Sequence, residues 1–310
     1  MTRTYVGVDL SKDWIDVFHP ETGERRVANA RDALAGFLDG LDPDAVLVFE
    51  ATSGCDGLLE RMATAAGRPY RRLNPLHGWH FGRSLNLPKT DRVDARMLAR
   101  IGAERTLEPS PGFDAARAEL AELIGRRDQL KRLETQEENR LGKTWSASVA
   151  DSHRAMLEVV RRQVAEAERA IEAFLRNHPE LGRKARLLRT IPGVGLVASA
   201  VLAAQMPELG AVDRRAAASL AGLAPRARES GKWRGRRFTG DGRRHVRRAL
   251  YMAALTAMRA NSPFAQTVDR LRERGKPGRL VAIAMARKLL VIANAVLRDE
   301  QPFKRRPKPA

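Results

Sequence analysis

The chain has 310 residues, enough for two or three domains, and 56 Lys and Arg against 37 Asp and Glu give it a formal net charge of +19. Hydrophobic residues at 43% and charged residues at 30% exclude a disordered or collagen-like chain. The single cysteine, Cys55, excludes a disulfide framework or a cysteine-rich zinc site, and it fits a reducing cytoplasm.

No signal peptide is expected, because Thr2–Lys12 carries charges where an apolar core would be needed. Residues 1–110 hold 15 basic and 16 acidic side chains and read as alternating strands and helices. Tyr5–Leu10, Ile15–His19 and Arg25–Asn29 are short runs with β-branched residues, separated by turn-like stretches such as Glu21-Thr22-Gly23. Helical spacing of Leu34, Phe37, Leu38 and Leu41 predicts a helix over Ala30–Leu41. Ala45–Glu50 is a continuous apolar run ending in an acid, suited to the centre of a sheet. A helix near Asp56–Ala66, a strand at Tyr70–Leu73 and a helix at Asp91–Ala103 follow. The order βββαβαβα predicts a ribonuclease-H-like (RuvC-like) α/β domain over 1–110.

From 111 to 180 the pattern changes. Leu120, Leu123, Leu130 and Leu133 form one stripe, and Met156, Val160, Val164, Ala167, Ile171 and Phe174 form another, with a break at Trp145–Ala150. Two long antiparallel helices are expected, a coiled-coil arm that either packs on its own chain or pairs two chains. Pro111-Gly112 and His178-Pro179 mark the joints.

Residues 181–310 carry 29 basic and 8 acidic side chains, so the whole charge excess lies at this end. An all-α domain is expected over 181–301, followed by a basic disordered tail over 302–310. The longest uncharged stretch, Thr190–Pro207, is interrupted by Pro192, Gly193 and Gly195, and no membrane span is expected there. Of the 56 cations, 46 are Arg, whose planar donors suit phosphate, so DNA or RNA is the expected partner.

Within this region Ile191–Gly195 (IPGVG) reads as a helix–hairpin–helix turn between two helices. Gly193 and Gly195 permit close backbone approach, and the following helix N-terminus faces a phosphate. A plain Gly-rich helix turn is the other reading; a dinucleotide fingerprint fails, because no strand precedes the glycines. Arg226–Arg237 (RARESGKWRGRR) is a basic loop in which Ser230 sits among Arg228, Lys232, Arg234, Arg236 and Arg237. Cations there would hold a phosphate or lower the hydroxyl pKa, although a serine in a polar loop needs no such role. Arg243, Arg244, Arg247 and Arg248 begin a helix over Arg243–Arg259 and are expected on phosphate.

Four carboxylates stand where a catalytic site would form. Asp9 lies near the end of the first strand, Glu50 ends the apolar strand, and Asp91 and Asp94 open a helix with the three-residue spacing that shares a face. Carboxylates gathered this closely repel unless a cation lies between them, and hard divalent ions choose such oxygens. Two such ions about 4 Å apart clamp the attacking and leaving oxygens of a phosphodiester. Taken alone, Asp91 is an ordinary N-cap and Glu50 an ordinary loop residue. An actin-like ATPase would share the first motif, but its second glycine-rich turn and adenosine loop are missing.

These residues resemble a known family. Val6–Lys12 (VGVDLSK), Phe49–Gly54 (FEATSG), Lys89–Ala99 (KTDRVDARMLA), the IPGVG turn and the Ser230-Gly231 loop occur in the same order in DEDD-type insertion-sequence transposases, across about residues 4–299. Lys89–Ala99 is the most specific of them, and Lys89 and Arg92 within it are expected at nucleic acid. The resemblance implies that Asp9, Glu50, Asp91 and Asp94 bind Mg2+ (or Mn2+) and that Ser230 forms a phosphoserine link to DNA. It further implies a bridge RNA that pairs with donor and target DNA, and a dimer or tetramer whose active site is shared between subunits. The protein would act in the bacterial cytoplasm at the nucleoid. Phe238–Gly242 (FTGDG) departs from the more basic turn usual in that family. A RuvC-like junction nuclease using activated water, or a non-catalytic nucleic-acid-binding regulator, would share parts of the same pattern.

Overall fold

The computed structural model describes residues 3–52, 54–75, 78, 81, 91–225, 229–230, 233–234, 238–240, 242–259 and 262–304, with the backbone alone for 91–93, 229–230 and 233–234. The chain divides into two compact units, Met1–Asp114 and Ala115–Ala310.

The first unit is built on a mixed five-stranded sheet. Its strands are β1 (Tyr5–Leu10), β2 (Trp14–His19), β3 (Gly23–Ala28), β4 (Val46–Glu50) and β5 (Tyr70–Leu73), in the order β3-β2-β1-β4-β5. The first three form an antiparallel meander, and β4 and β5 join β1 in parallel. Helices α1 (Arg31–Asp39), α2 (Asp56–Ala65) and α3 (Asp91–Arg105) belong to the same unit. This element order is consistent with a ribonuclease-H-like domain.

Because successive residues of a strand point to opposite faces, the sheet has two different surfaces. Val6, Val8 and Leu10 of β1 and Leu47 and Phe49 of β4 pack with Leu34, Phe37, Leu38 and Leu59 beneath α1 and α2. Tyr5 of β1 and Val46 and Val48 of β4 pack on the other side with Met97, Leu98 and Ile101 of α3. The alternation puts Asp9 and Glu50 on the α3 side of the sheet.

The second unit is helical, with a two-stranded ribbon formed by β6 (Glu229–Ser230) and β7 (Trp233–Arg234). Its helices α4 (Ala115–Leu141) and α5 (Ala147–Asn177) form an antiparallel hairpin, as the ion pairs Arg127–Glu168, Arg161–Glu134 and Arg161–Glu138 show. Their partners climb one helix as they descend the other. Leu120 and Ile124 of α4 and Ile171, Phe174 and Leu175 of α5 lie in the same core as the helices that follow. The hairpin is therefore rooted in the C-terminal unit. The expected stripes hold in part, with Leu120, Leu130, Val160, Ile171 and Phe174 buried. Leu133 is 43% exposed and Met156 52% exposed, together with Trp145, Val149 and Val159.

The remaining helices are α6 (Pro179–Arg189), α7 (Leu196–Gln205), α8 (Arg214–Leu220), α9 (Arg244–Ala257), α10 (Ala265–Glu273) and α11 (Gly278–Arg298). By length and composition α11 could cross a membrane, with a mean hydropathy of 2.0 over its best window, and half of that window is buried. Val281, Met285, Ala286, Leu289, Leu290 and Ala293 are within the core. Buried Asn294 accepts from the Gly210 N–H at 2.9 Å and donates to the Val212 carbonyl at 2.8 Å. A satisfied polar group and a packed apolar face make α11 the central helix of this unit.

The basic tail also differs from expectation at its start. The Phe303 N–H donates to the Thr190 hydroxyl at 2.8 Å, and its ring lies 6.0 Å from that of Phe264. An aromatic residue next to an apolar core gains more by docking than by solvation. Residues 305–310 of the expected tail lie outside the described residues.

Candidate active site and nucleic-acid surface

The register of the sheet brings the first two carboxylates together. Val8 of β1 is opposite Phe49 of β4, so the next position places Asp9 beside Glu50 at the carboxyl ends of neighbouring parallel strands, about 4.8 Å apart across the ladder. Both are partly exposed.

The helix that bears Asp91 and Asp94 meets β1 through a close helix–strand contact. A Cβ on Gly7 would overlap the Ala95 carbonyl oxygen and stand 2.6 Å from the Ala99 nitrogen, and one on Gly102 would stand 2.6 Å from the Tyr5 ring. The bare Gly7 backbone thus lets α3 lie flush on β1. Because Ala95 meets Gly7 while Gly102 meets Tyr5, α3 runs antiparallel to β1. Its amino-terminal turn, which begins at Asp91 and contains Asp94, therefore lies towards the Asp9 end of the strand. The side chains of Asp91 and Arg92, and all of Lys89, lie outside the described residues.

Three residues that the sequence reading passed over shape this edge. Asp16 pairs with Asp9 across β1 and β2 and is 8% exposed. Arg26 on β3 holds its carboxylate through two hydrogen bonds of 2.8 Å, so this buried acid is neutralised within the sheet. Asn29 donates through Nδ2 to the carbonyls of Ser11 at 2.9 Å and Cys55 at 3.2 Å. It thereby ties the turn after Asp9 to the turn after Glu50. Gly78 lies against Glu50 itself: a Cβ there would overlap Oε1 and stand 2.9 Å from Cδ. An acid inside a strand opposite another acid was a legible signal for Asp16. Asn29 and Gly78 are distant in sequence from what they contact and gave no such signal.

The donors gathered at this edge are carboxylate oxygens, the hard ligands that Mg2+ or Mn2+ prefers. Among the described residues no complete metal-binding group of three or more side chains is present. Asp9 and Glu50, adjacent on one face, nonetheless fit a divalent ion.

In the second unit the cations expected on phosphate do different jobs. Arg243 bonds Glu208 through Nη1 at 2.7 Å and Nη2 at 2.5 Å, and gives a further bond of 2.8 Å to the Gln205 carbonyl. Burial is the largest single influence on Glu208 and raises its pKa, but the bonds from Arg243 and its own backbone, with the charges of Arg243 and Arg117, outweigh it and leave the pKa lowered. Arg243 is thus a structural clamp, with its donors committed inside the unit. Arg248 pairs loosely with Asp128 at 3.6 Å. Arg247 lies over Gly222, where a Cβ would overlap Nη1. Arg244 is exposed at the start of α9.

The IPGVG turn joins α6 to α7 as expected, but its first glycine faces inward. Gly193 has φ +91°, and a Cβ there would stand 2.6 Å from the Ala253 carbonyl and 2.7 Å from the Ala257 Cβ. Its glycine requirement comes from packing on α9 in the left-handed region, whereas Gly195 has open space around it. Ser230 and Arg234 lie in the β6–β7 ribbon, with their side chains outside the described residues. Arg228, Lys232, Arg236 and Arg237 lie outside them entirely.

Two family models match this chain, one described as a DEDD transposase of the IS110 type over residues 6–148 and one as the transposase IS116/IS110/IS902 family over residues 185–269. The chain is 28% identical to the pilin gene-inverting protein of Moraxella bovis across 99% of both chains, and equally to that of Moraxella lacunata. It is 32% identical over 153 residues to an uncharacterized protein of insertion element IS110 from Streptomyces coelicolor, covering 49% of this chain and 37% of that protein. The class is thereby defined as a DNA transposase or recombinase. Within that class the chain belongs to the IS110/IS116/IS902 family of DEDD insertion-sequence transposases.

Proposed function

We propose that this transposase excises and inserts its own mobile element by cutting and rejoining DNA through a phosphoserine at Ser230, with Asp9, Glu50, Asp91 and Asp94 holding the divalent ion that supports each step. The observation that carries the reading is the placement of Asp9 beside Glu50 on the face covered by α3. A divalent ion held there would stabilise the charge that builds on the phosphate oxygens. The Ser230 oxygen forms a bond to phosphorus as the bond to the displaced sugar oxygen breaks, and that oxygen leaves as a hydroxyl once it takes a proton. Reversal by another strand's hydroxyl rejoins DNA and frees the serine, so no ATP is consumed.

Arg244 and the basic loop with Arg228, Lys232, Arg234, Arg236 and Arg237 supply phosphate contacts, as do Lys89 and Arg92 before and within α3. Sequence choice rests on a bridge RNA pairing with donor and target DNA, which is consistent with a cationic surface that lacks a base-reading motif. Self-association through the α4–α5 hairpin, as a coiled coil, is favoured by the exposed Leu133, Trp145, Val149, Met156 and Val159. A dimer or tetramer would let Ser230 of one subunit serve the carboxylates of another, in the cytoplasm at the nucleoid.

The test is an excision assay in cells carrying the element with its flanks. The wild type is expected to leave a rejoined donor junction, and Asp9→Asn, Glu50→Gln and Ser230→Ala none. A non-catalytic regulator would leave junction formation unchanged in Asp9→Asn. A water-using nuclease would give breaks that still form in Ser230→Ala.

A further inference from the structure

Several arginines that build the second unit are matched to an acid. Arg127 pairs with Glu168, Arg161 with Glu134, Arg183 with Glu300, Arg189 with Glu172 and Arg243 with Glu208. The cleft between α8 and α11 instead gathers cations on one surface. It is lined by Arg214, Arg215, Arg287 and Lys288, with Ala284 and Val291 between them. Among the described residues, none of these four cations is in an ion pair. Asp213, at the edge, turns its carboxylate to the backbone N–H groups of Arg215 and Ala216.

Lys288 donates to the Thr267 hydroxyl at 2.8 Å and stands 5.7 Å from the centre of the Phe264 ring. Its pKa is lowered, first by burial and then by the nearby charge of Arg270 on α10. Asp213 offsets part of the charge of Arg214 and Arg215, but one carboxylate against four cations leaves an excess that a polyanion would neutralise. The cleft measures about 490 Å³, many times the roughly 10–15 Å³ that holds one water, which leaves room for a sugar–phosphate strand.

We propose that this cleft binds the sugar–phosphate backbone of duplex DNA, as a site separate from the 226–237 loop. Between the cations the lining is small and aliphatic, and Phe264 is 4% exposed beneath Lys288. Among the described residues no aromatic ring is presented in the cleft for an unpaired base to stack on, which favours a paired backbone over a single strand. The contacts are to phosphate alone, so the site positions DNA without reading it. The inference rests on the transposase reading only in choosing DNA over another polyanion.

The experiment measures binding of the full-length protein to a duplex of arbitrary sequence by fluorescence anisotropy across a salt series. Arg287→Ala/Lys288→Ala and Arg214→Ala/Arg215→Ala are each compared with wild type. Each pair is expected to make the log–log salt slope shallower by about 1.8, at about 0.9 per phosphate contact. The loss should be the same on unrelated sequences, with an unchanged melting temperature, and Arg287→Lys/Lys288→Arg should restore the slope. An unchanged slope in both double variants, or a change seen only with duplex RNA, would overturn the proposal. Asp9→Asn separates the two readings: it should lose junction formation but keep the wild-type slope.

Discussion

Gly7 on β1 and Ala95 on α3 are in backbone contact, with no room for a side chain between them. That contact sets how far the helix bearing Asp94 stands from the strand bearing Asp9. Gly7→Ala is expected to push α3 away and to cost about 3 kcal/mol, since the obstacle is backbone and cannot rotate aside. Chemical denaturation of the wild type and variant checks the cost. Junction formation should fall further than the loss of folded protein explains.

Gly78 makes a more selective probe, because what it touches is the Glu50 carboxylate and not a main chain. Gly78→Ala is expected to displace the Glu50 side chain while leaving the sheet folded. Strand cleavage should fall at least tenfold at an unchanged melting temperature, and raised Mg2+ should recover part of it. Unaltered cleavage would mean that Glu50 acts from another position.

Asn29 joins the two turns that follow the acidic strands. Asn29→Ala removes two hydrogen bonds and should cost about 2 kcal/mol at roughly 1 kcal/mol each. Hydrogen exchange of the amides of residues 11–14 and 52–56 should rise in the variant more than elsewhere in the sheet.

Arg243 and Arg244 are neighbours in different surroundings, the first paired with Glu208 and the second exposed. Arg243→Ala leaves Glu208 without its partner and should lower stability by about 1.5 kcal/mol, a figure already reduced for partial exposure. Arg244→Ala should leave stability unchanged and weaken DNA binding. The Arg243–Glu208 pair also has a pH signature. Folding depresses the Glu208 pKa, so its stabilisation is complete above the ordinary carboxylate range and is lost as pH falls through the folded value. The difference in melting temperature between wild type and Arg243→Ala should therefore be full at pH 7 and shrink below about pH 4.3, the ordinary Glu value.

Much of the N-terminal unit was legible because its signals are local. The apolar run 45–50, the short strands 5–10 and 70–73, and the carboxylates at strand ends are properties of neighbouring residues. Contacts between distant segments were not legible. Gly7 on Ala95, Gly78 on Glu50 and Asn29 on two turns depend on tertiary approach, which no spacing encodes. The same holds for the cations, since Arg243 and Arg244 read alike until Glu208 is placed beside one of them. The hairpin stripes were seen, but not that Leu130 and Val160 are buried while Leu133 and Met156 are exposed. Phe303 was read with the basic residues after it and is held by Thr190 and Phe264.

The most direct test of the central claim is a search for a denaturant-resistant protein–DNA adduct, with the modified peptide mapped by mass spectrometry. The protein would be incubated with its element's ends, its guide RNA and Mg2+. An adduct on Ser230 in the wild type, absent from both Ser230→Ala and Asp9→Asn, is the predicted result. Mg2+-dependent cleavage that requires Asp9 but leaves no adduct on any peptide would contradict it, and would assign the attack to water.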